Sequence, residues 1–125
     1  MICSGVSFPA SEVPLAKVTD GTSNTYMVGD KSVRPESYYD ATDGGDNENA
    51  WMGANLDIER STRYPPQEDR LGSLNWEAFG SAHPGAFNMV FCDGSVHGIS
   101  YEIELTLHKN LSNRHDGNVL DKSGL

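Results

Sequence analysis

Long hydrophobic runs are absent from this sequence. Nothing in it approaches the ~18 consecutive apolar residues of a membrane-spanning helix, and Met1-Ile2-Cys3-Ser4 passes straight into polar residues without the apolar core of a secretory signal. Cysteine is scarce as well. Cys3 and Cys92 fit neither a Cys-x-x-Cys nor a metal-ligand spacing. Cys92 reads most simply as a small residue beside a turn, and a Cys3–Cys92 disulfide is open only in an oxidising compartment. Positive charge is short: 9 Lys and Arg face 18 Asp and Glu, for a formal net charge of −9. That balance argues against sequence-independent binding to nucleic acid or to an anionic membrane. It suits a bound cation or, more simply, a solvated surface. Catalytic signatures are missing too: there is no Gly-x-Ser-x-Gly elbow, no His-Glu-x-x-His and no phosphate-cradling glycine loop. No enzymatic activity is expected.

What the chain has in quantity is turn chemistry. Its 13 glycines and many Asp and Asn, against 37% hydrophobic residues, point to a loop-rich α+β fold with a small antiparallel sheet and little helix. At 125 residues a single domain spanning 1–125 is expected. Such a chain buries roughly two-thirds of its unfolded surface, enough for a core without metal or disulfide.

The strongest local signal is a core β-hairpin at 87–99. Phe87 to Cys92 is the longest β-prone apolar run, Asp93-Gly94 follows, and Ser95 to Ile99 is a second run. Two such runs around Asp-Gly predict a two-residue type I′ turn, whose central residues need φ > 0. That turn sets Cys92 opposite Ser95, Phe91 opposite Val96 and Met89 opposite Gly98. Alternation then puts Phe87, Met89, Phe91 and Val96 on the core face. Asn88, Val90, Cys92, Ser95, His97 and Ile99 fall on the other, and Gly98 is expected to leave a gap over Met89.

Elsewhere short elements alternate with turns. Pro9 and Pro14 keep residues 4–18 extended, with Val13, Leu15 and Val18 as anchors. Thr19 to Thr25 is a dense cluster of turn and capping residues, and Tyr26-Met27-Val28 is a strand that Gly29 stops. Residues 30–50 carry Asp30, Glu36, Asp40, Asp43, Asp46 and Glu48 without a hydrophobic period, which predicts a flexible surface loop. Ala50-Trp51-Met52-Gly53 reads as a short strand with Trp51 inward, and Ser61 to Pro66 as an extended, polyproline-like loop. Tyr101 to Leu107 fits either period. The lack of Gly and Pro from Glu102 through Leu111 favours a short helix from Glu104 to Leu111. Asn118-Val119-Leu120 is a candidate final strand.

Candidate sites are few. Asp20, Thr22 and Asn24 alternate like the first oxygen ligands of a calcium loop, but the downstream glycine and bidentate glutamate are missing. Asp20, Asp43 and Asp46 are therefore weak calcium candidates beside the plainer reading of a structured turn and a solvated acidic loop; no other cofactor is indicated. His83, ahead of Pro84-Gly85, is extended at a turn. It and Asp93 mark the two ends of the first hairpin strand, on the order of 30 Å apart if straight. Both read as structural. Trp51 and Trp76, with Tyr38 and Tyr39, form a candidate stacking platform for a saccharide or small solute.

His83-Pro84-Gly85, Asn88 and Phe91-Cys92-Asp93-Gly94-Ser95-Val96 resemble the HPGG-N-FxDGSV signature of the H-x9-DG pilin-like proteins abundant in planctomycetes, the DUF1559 family. A second segment, Val18-Thr19-Asp20-Gly21-Thr22-Ser23-Asn24-Thr25 with Val28-Gly29-Asp30, is similar to the family's V-T-D-G-T-S-N-T…V-G-E, with Asp30 in place of Glu. The two motifs stand in the family's order, and the resemblance covers the chain from about Gly5 onward. It implies a type IV pilin-like, pseudopilin-G-like protein, with a cleaved leader, an apolar N-terminal helix that anchors and polymerises, and an outward α+β head. This sequence holds neither leader nor helix, so it is expected to be the C-terminal head, with the helix encoded upstream of Met1.

On that resemblance Asp20, Gly21, Thr22, Asn24, His83, Pro84, Gly85, Asn88, Asp93 and Gly94 are structural motif residues. Other pilin-like or secretion-system proteins are the implied partners, membrane contact runs only through the N-terminal helix, and nucleic acid is not a partner. The full-length product is expected in the periplasm or outside the cell, at its surface, with the loops at 40–50 and 55–70 giving specificity. An extracellular saccharide- or solute-binding module is the alternative, since the family is sometimes grouped with solute-binding proteins.

Overall fold

A computed structural model describes residues 4–72, 74–118, 120, 121 and 123. Among the described residues, five strands, β1 (Tyr26–Gly29), β2 (Gln67–Glu68), β3 (Gly80–Ser81), β4 (Ala86–Phe91) and β5 (Val96–Ser100), precede one α-helix, α1 (Leu105–Leu111), with short 3-10 turns between them. The fold is α+β. An antiparallel sheet runs in the order β1-β4-β5, and β2 and β3 form a separate parallel pair. That pair has no sequence signal, because two-residue strands show no period.

β4 is central because it is the most apolar strand: Phe87, Met89 and Phe91 are fully buried. Tyr26 from β1, Ile99 from β5, and Ile103 and Leu111 complete the core. The helix begins where expected. Glu104 caps it by accepting from the N–H groups of Thr106 (3.0 Å) and Leu107 (2.9 Å), which satisfies two donors that a first turn leaves without partners.

The hairpin forms with a different turn, and its register differs by one residue. Val90 pairs with Val96, Met89 with His97, and Phe87 with Ile99. Gly94 N–H donates to the Phe91 carbonyl (2.9 Å), and Phe91 N–H donates to the Ser95 carbonyl (2.8 Å). In the turn only Gly94 has positive φ, +84°. This is a type I turn completed by a glycine bulge. Asp93 supports it, its Oδ1 accepting from the Ser95 N–H (2.9 Å) and hydroxyl (2.6 Å). A one-residue slip exchanges the faces of a strand, so Ile99 is buried in the core and Val96 is 62% exposed, the reverse of expectation. Gly98 lies opposite Asn88. The space for Met89 comes instead from Gly29, where a Cβ would stand 2.0 Å from Met89 Sδ.

Other expectations are corrected too. Leu15 is exposed in a 3-10 turn, and Val18 alone is buried in that segment. Asp43, expected in a solvated loop, is fully buried. Ala50–Met52 is a 3-10 turn with Trp51 93% exposed, not a strand with Trp51 inward. The side chain of Asn49 accepts from Trp51 N–H (2.9 Å), an alternative to strand pairing that Asn offers locally. Cys92 is a buried free thiol, its Sγ 3.7 Å from the Tyr26 carbonyl oxygen. Cys3 and Val119, on which the disulfide and the final strand depend, lie outside the described residues.

Candidate functional site

The two sequence motifs meet in space. Cys92 N–H donates to the Thr25 carbonyl (2.9 Å) and Asp93 N–H to that of Thr22 (3.1 Å). Gly21, with φ at +100°, opens the loop that makes this possible. Asn24 Nδ2 donates to the Asp20 carbonyl (2.9 Å), and Thr25 Oγ1 to that of Gly21 (3.1 Å). The carboxylate of Asp20 accepts from the N–H groups of Asp116 (2.6 Å) and Gly117 (3.0 Å). Residues 20–25 thereby join the hairpin tip to the turn beyond α1.

The remaining motif residues surround the opposite end of β4. Asp30 Oδ2 accepts from the backbone N–H (2.9 Å) and Nδ2 (3.0 Å) of Asn88. The backbone of His83 is held on both sides: its N–H donates to Ser81 Oγ (3.1 Å), and its carbonyl accepts from the Tyr101 hydroxyl (3.0 Å). Gly85, at φ +79°, turns the chain after Pro84 into the strand. His83 and Asp93 thus flank β4 from opposite ends.

Beside His83 lies an open cleft of about 460 Å³, lined also by Asp30, Tyr38, Asp46, Asp69 and Ser81. The Tyr38 hydroxyl donates to Asp69 Oδ2 (2.5 Å), and that bond to a carboxylate pushes the phenol up to about 12. Asp46 pairs with Lys31 at 2.5 Å. Burial of Asp43 disfavours its charge. The N–H groups of Gly45 (2.8 Å) and Arg34 (3.1 Å) and the Arg34 Nε (2.9 Å) outweigh that, holding the carboxyl below its ordinary range. Asp20, Asp43 and Asp46 therefore each bind donors of the protein itself. Among the described residues no group of three or more His, Cys, Asp or Glu stands together to hold a metal ion.

The four candidate rings are not brought to one groove. Tyr38 lines the cleft, while Tyr39 and Trp51 project into solvent at 100% and 93% exposure. Trp76 covers Gly44, whose Cβ, if present, would meet the indole at 2.8 Å. A larger groove of about 800 Å³ runs between β1, the entry segment and residues 57–63, without any of these four rings.

One further constellation matches no motif of the sequence. Asp93 Oδ1, Ser95 Oγ and His97 Nε2 form an exposed chain, with spacings of 2.6 and 3.1 Å. These are the residue types of a nucleophilic triad in the wrong order. A triad needs the carboxylate behind the imidazole, orienting it toward the serine; here serine sits between the two, and its proton serves the carboxylate. The alternation of Asp93, Ser95 and His97 is visible as spacing, but the bulged turn is what brings them together.

A family model described as "Protein of unknown function (DUF1559)", SBP_bac_10, matches residues 3–106. The chain belongs to that family. Comparisons with curated proteins and with solved structures found no match. Among the described residues, no helix is long and apolar enough to cross a membrane.

Proposed function

We infer that this chain is a non-enzymatic head domain of a type IV pilin-like, pseudopilin-G-like protein of the secretion apparatus or cell surface, acting through contacts with other proteins. The observation that carries this reading is the segment from Tyr38 to Ile58. It presents Tyr39, Trp51, Met52 and Ile58 at 100%, 93%, 61% and 51% exposure. Exposed Tyr and Trp are the residue types that dominate binding energy at protein interfaces, where Met is also enriched, and Ile58 lines the groove beside β1. Membership of the DUF1559 family supports a surface or secretion setting. The partners are then other pilin-like or secretion-system proteins, and the site of action is the periplasm or the outer cell surface.

The test is photo-crosslinking in the native cell, with the full-length gene product carrying the reactive group at position 51 or, as a control, at exposed Glu102. Envelope localisation and a discrete adduct from position 51 alone are expected. A product confined to the cytosol, or equal labelling from both positions, would overturn the reading. The exposed Trp51 also suits saccharide stacking. Quenching of its fluorescence by oligosaccharides, with no protein adduct, would favour that alternative.

A further inference from the structure

β5 closes one side of the three-stranded sheet, and among the described residues no strand pairs with its outer edge. Phe91 N–H donates to Ser95, so the alternation of an antiparallel pair turns the backbone groups of His97 and Ile99 toward β4. Those of Val96 and Gly98 point outward. Among the described residues nothing bonds to them. Natural edges are blunted by lysine, proline, bulges or inward charge. From Gly94 to Tyr101 this chain has no charged residue and no proline, and β5 pairs with β4 in unbroken register. In a chain of net charge −9, an uncharged edge is where two copies approach with little repulsion. On the adjoining outer face an apolar row crosses the sheet beside the exposed Asn88. Val28, Val90 and Val96 stand in register, one from each strand, with Val28 and Val96 58% and 62% exposed.

We propose that two copies of this chain pair through β5, antiparallel about a two-fold axis at Gly98, into one continuous sheet ordered β1-β4-β5-β5-β4-β1. Gly98 then faces Gly98 of the second copy, Val96 faces Ser100, and His97 faces Ile99. No charged side chain meets another across the paired strands. The pairing is isologous, so it closes as a dimer and does not propagate. A five-residue strand gives a small, transient interface, and association depends on concentration. In this register Asp93 of one copy approaches Glu102 of the other, so screening by salt strengthens the dimer. The proposal is independent of the functional reading above.

Gly98 is the position to test, because a Cβ there meets nothing nearer than Ala86 Cβ at 4.0 Å. Sedimentation equilibrium of the 125-residue chain, up to about 1 mM, should show a reversible monomer–dimer equilibrium that tightens with added salt. Gly98→Lys places a charge on the axis and should weaken it by at least about tenfold, with circular dichroism and melting unchanged. Gly98→Cys in a Cys3→Ser background should form a covalent dimer on mild oxidation. Hydrogen-bonded antiparallel partners lie ~5.5 Å apart between Cα atoms, within disulfide range. Val28→Cys, on the strand at the far side of the sheet, should not couple. A chain that stays monomeric at every concentration, with Gly98→Cys coupling no faster than Val28→Cys, overturns the proposal. So does a dimer that Gly98→Lys leaves intact. A Gly98→Cys variant that stays monomeric and, when oxidised in cell extract, couples to a different protein also overturns it, and assigns the edge to a foreign strand.

Discussion

His108 projects from α1 into a cage of rings, with Tyr26, Phe79 and Phe87 at centroid distances of 5.6, 6.1 and 6.0 Å. Its Nδ1 lies 3.4 Å from the Tyr26 hydroxyl, and its Nε2 has no hydrogen-bond partner among the described residues. Burial pushes the imidazole down to about 4 from 6.5 and the Tyr26 phenol far up. The unfolded chain therefore takes up a proton below about pH 6.5 that the folded chain refuses until about pH 4. The His108 contribution should be level above that window, fall through it by about 1.4 kcal/mol per pH unit, and flatten below it. The total loss is on the order of 3 kcal/mol. Denaturant titrations across roughly pH 4–7 measure this slope, and His108→Phe should abolish most of it. Asp43 and Glu104, both held low by hydrogen bonds, begin to lose their contributions as pH falls below their ordinary values of 3.8 and 4.5, so Glu104 overlaps the acidic end of this window. A second residue-scale prediction concerns Gly80. A Cβ there would stand 1.9 Å from the Gln67 carbonyl oxygen, which is backbone and cannot step aside. Gly80→Ala should cost about 1–3 kcal/mol in the same titrations, whereas Gly98→Ala should be nearly silent.

At the scale of elements, the hairpin shows what a turn decides. Gly94 alone holds positive φ in it, so Gly94→Ala should destabilise by about 1–2 kcal/mol, read from the shift of the denaturation midpoint. Asp93 needs no left-handed backbone and keeps its carboxylate on Ser95. Several elements are legible in the chain alone: β1, β4 and β5, and α1 from its Glu104 cap onward, because their signals are local. The register of β5 is not. Asp-Gly is compatible with a two-residue and a bulged loop alike, and the choice moves Ile99 into the core and Val96 out of it. Legibility of the sites follows the same line. The motif residues are visible as motifs, but nothing local says that Thr22 and Thr25 receive the N–H groups of Asp93 and Cys92. The cleft beside His83 assembles Asp30, Tyr38, Asp46 and Asp69 from separate segments, and no spacing rule unites them.

For the whole molecule, the two tryptophans report its surface. Trp51 stands in solvent, while Trp76, 41% exposed, leans on the loop at Gly44. Acrylamide should quench the emission of Trp51 far more steeply, and Trp51→Phe should remove most of the quenchable fraction. Equal quenching of both would contradict this arrangement. The acidic balance takes a different meaning at this scale. Asp20, Asp43 and Asp46 look like spare carboxylates in the chain, yet each one ties loops together through N–H or cationic donors. In a fold with so much irregular backbone, such carboxylates supply the acceptors that a larger sheet would otherwise provide.

By itself, the sequence determined the α+β class, the hairpin strands, the helix, the two motifs and the family they belong to. Each of these rests on interactions between residues close in the chain, or on patterns that such interactions impose. Only the tertiary structure decided which face of β5 is buried, that Asp43 lies inside and Trp51 outside, that β2 and β3 pair, and that the two motifs touch. Those outcomes depend on competition among distant groups for one small core and for a limited set of hydrogen-bond partners. The bare β5 edge belongs to both accounts: its lack of charge is written in the chain, and its lack of a neighbour among the described residues is a fact of the fold.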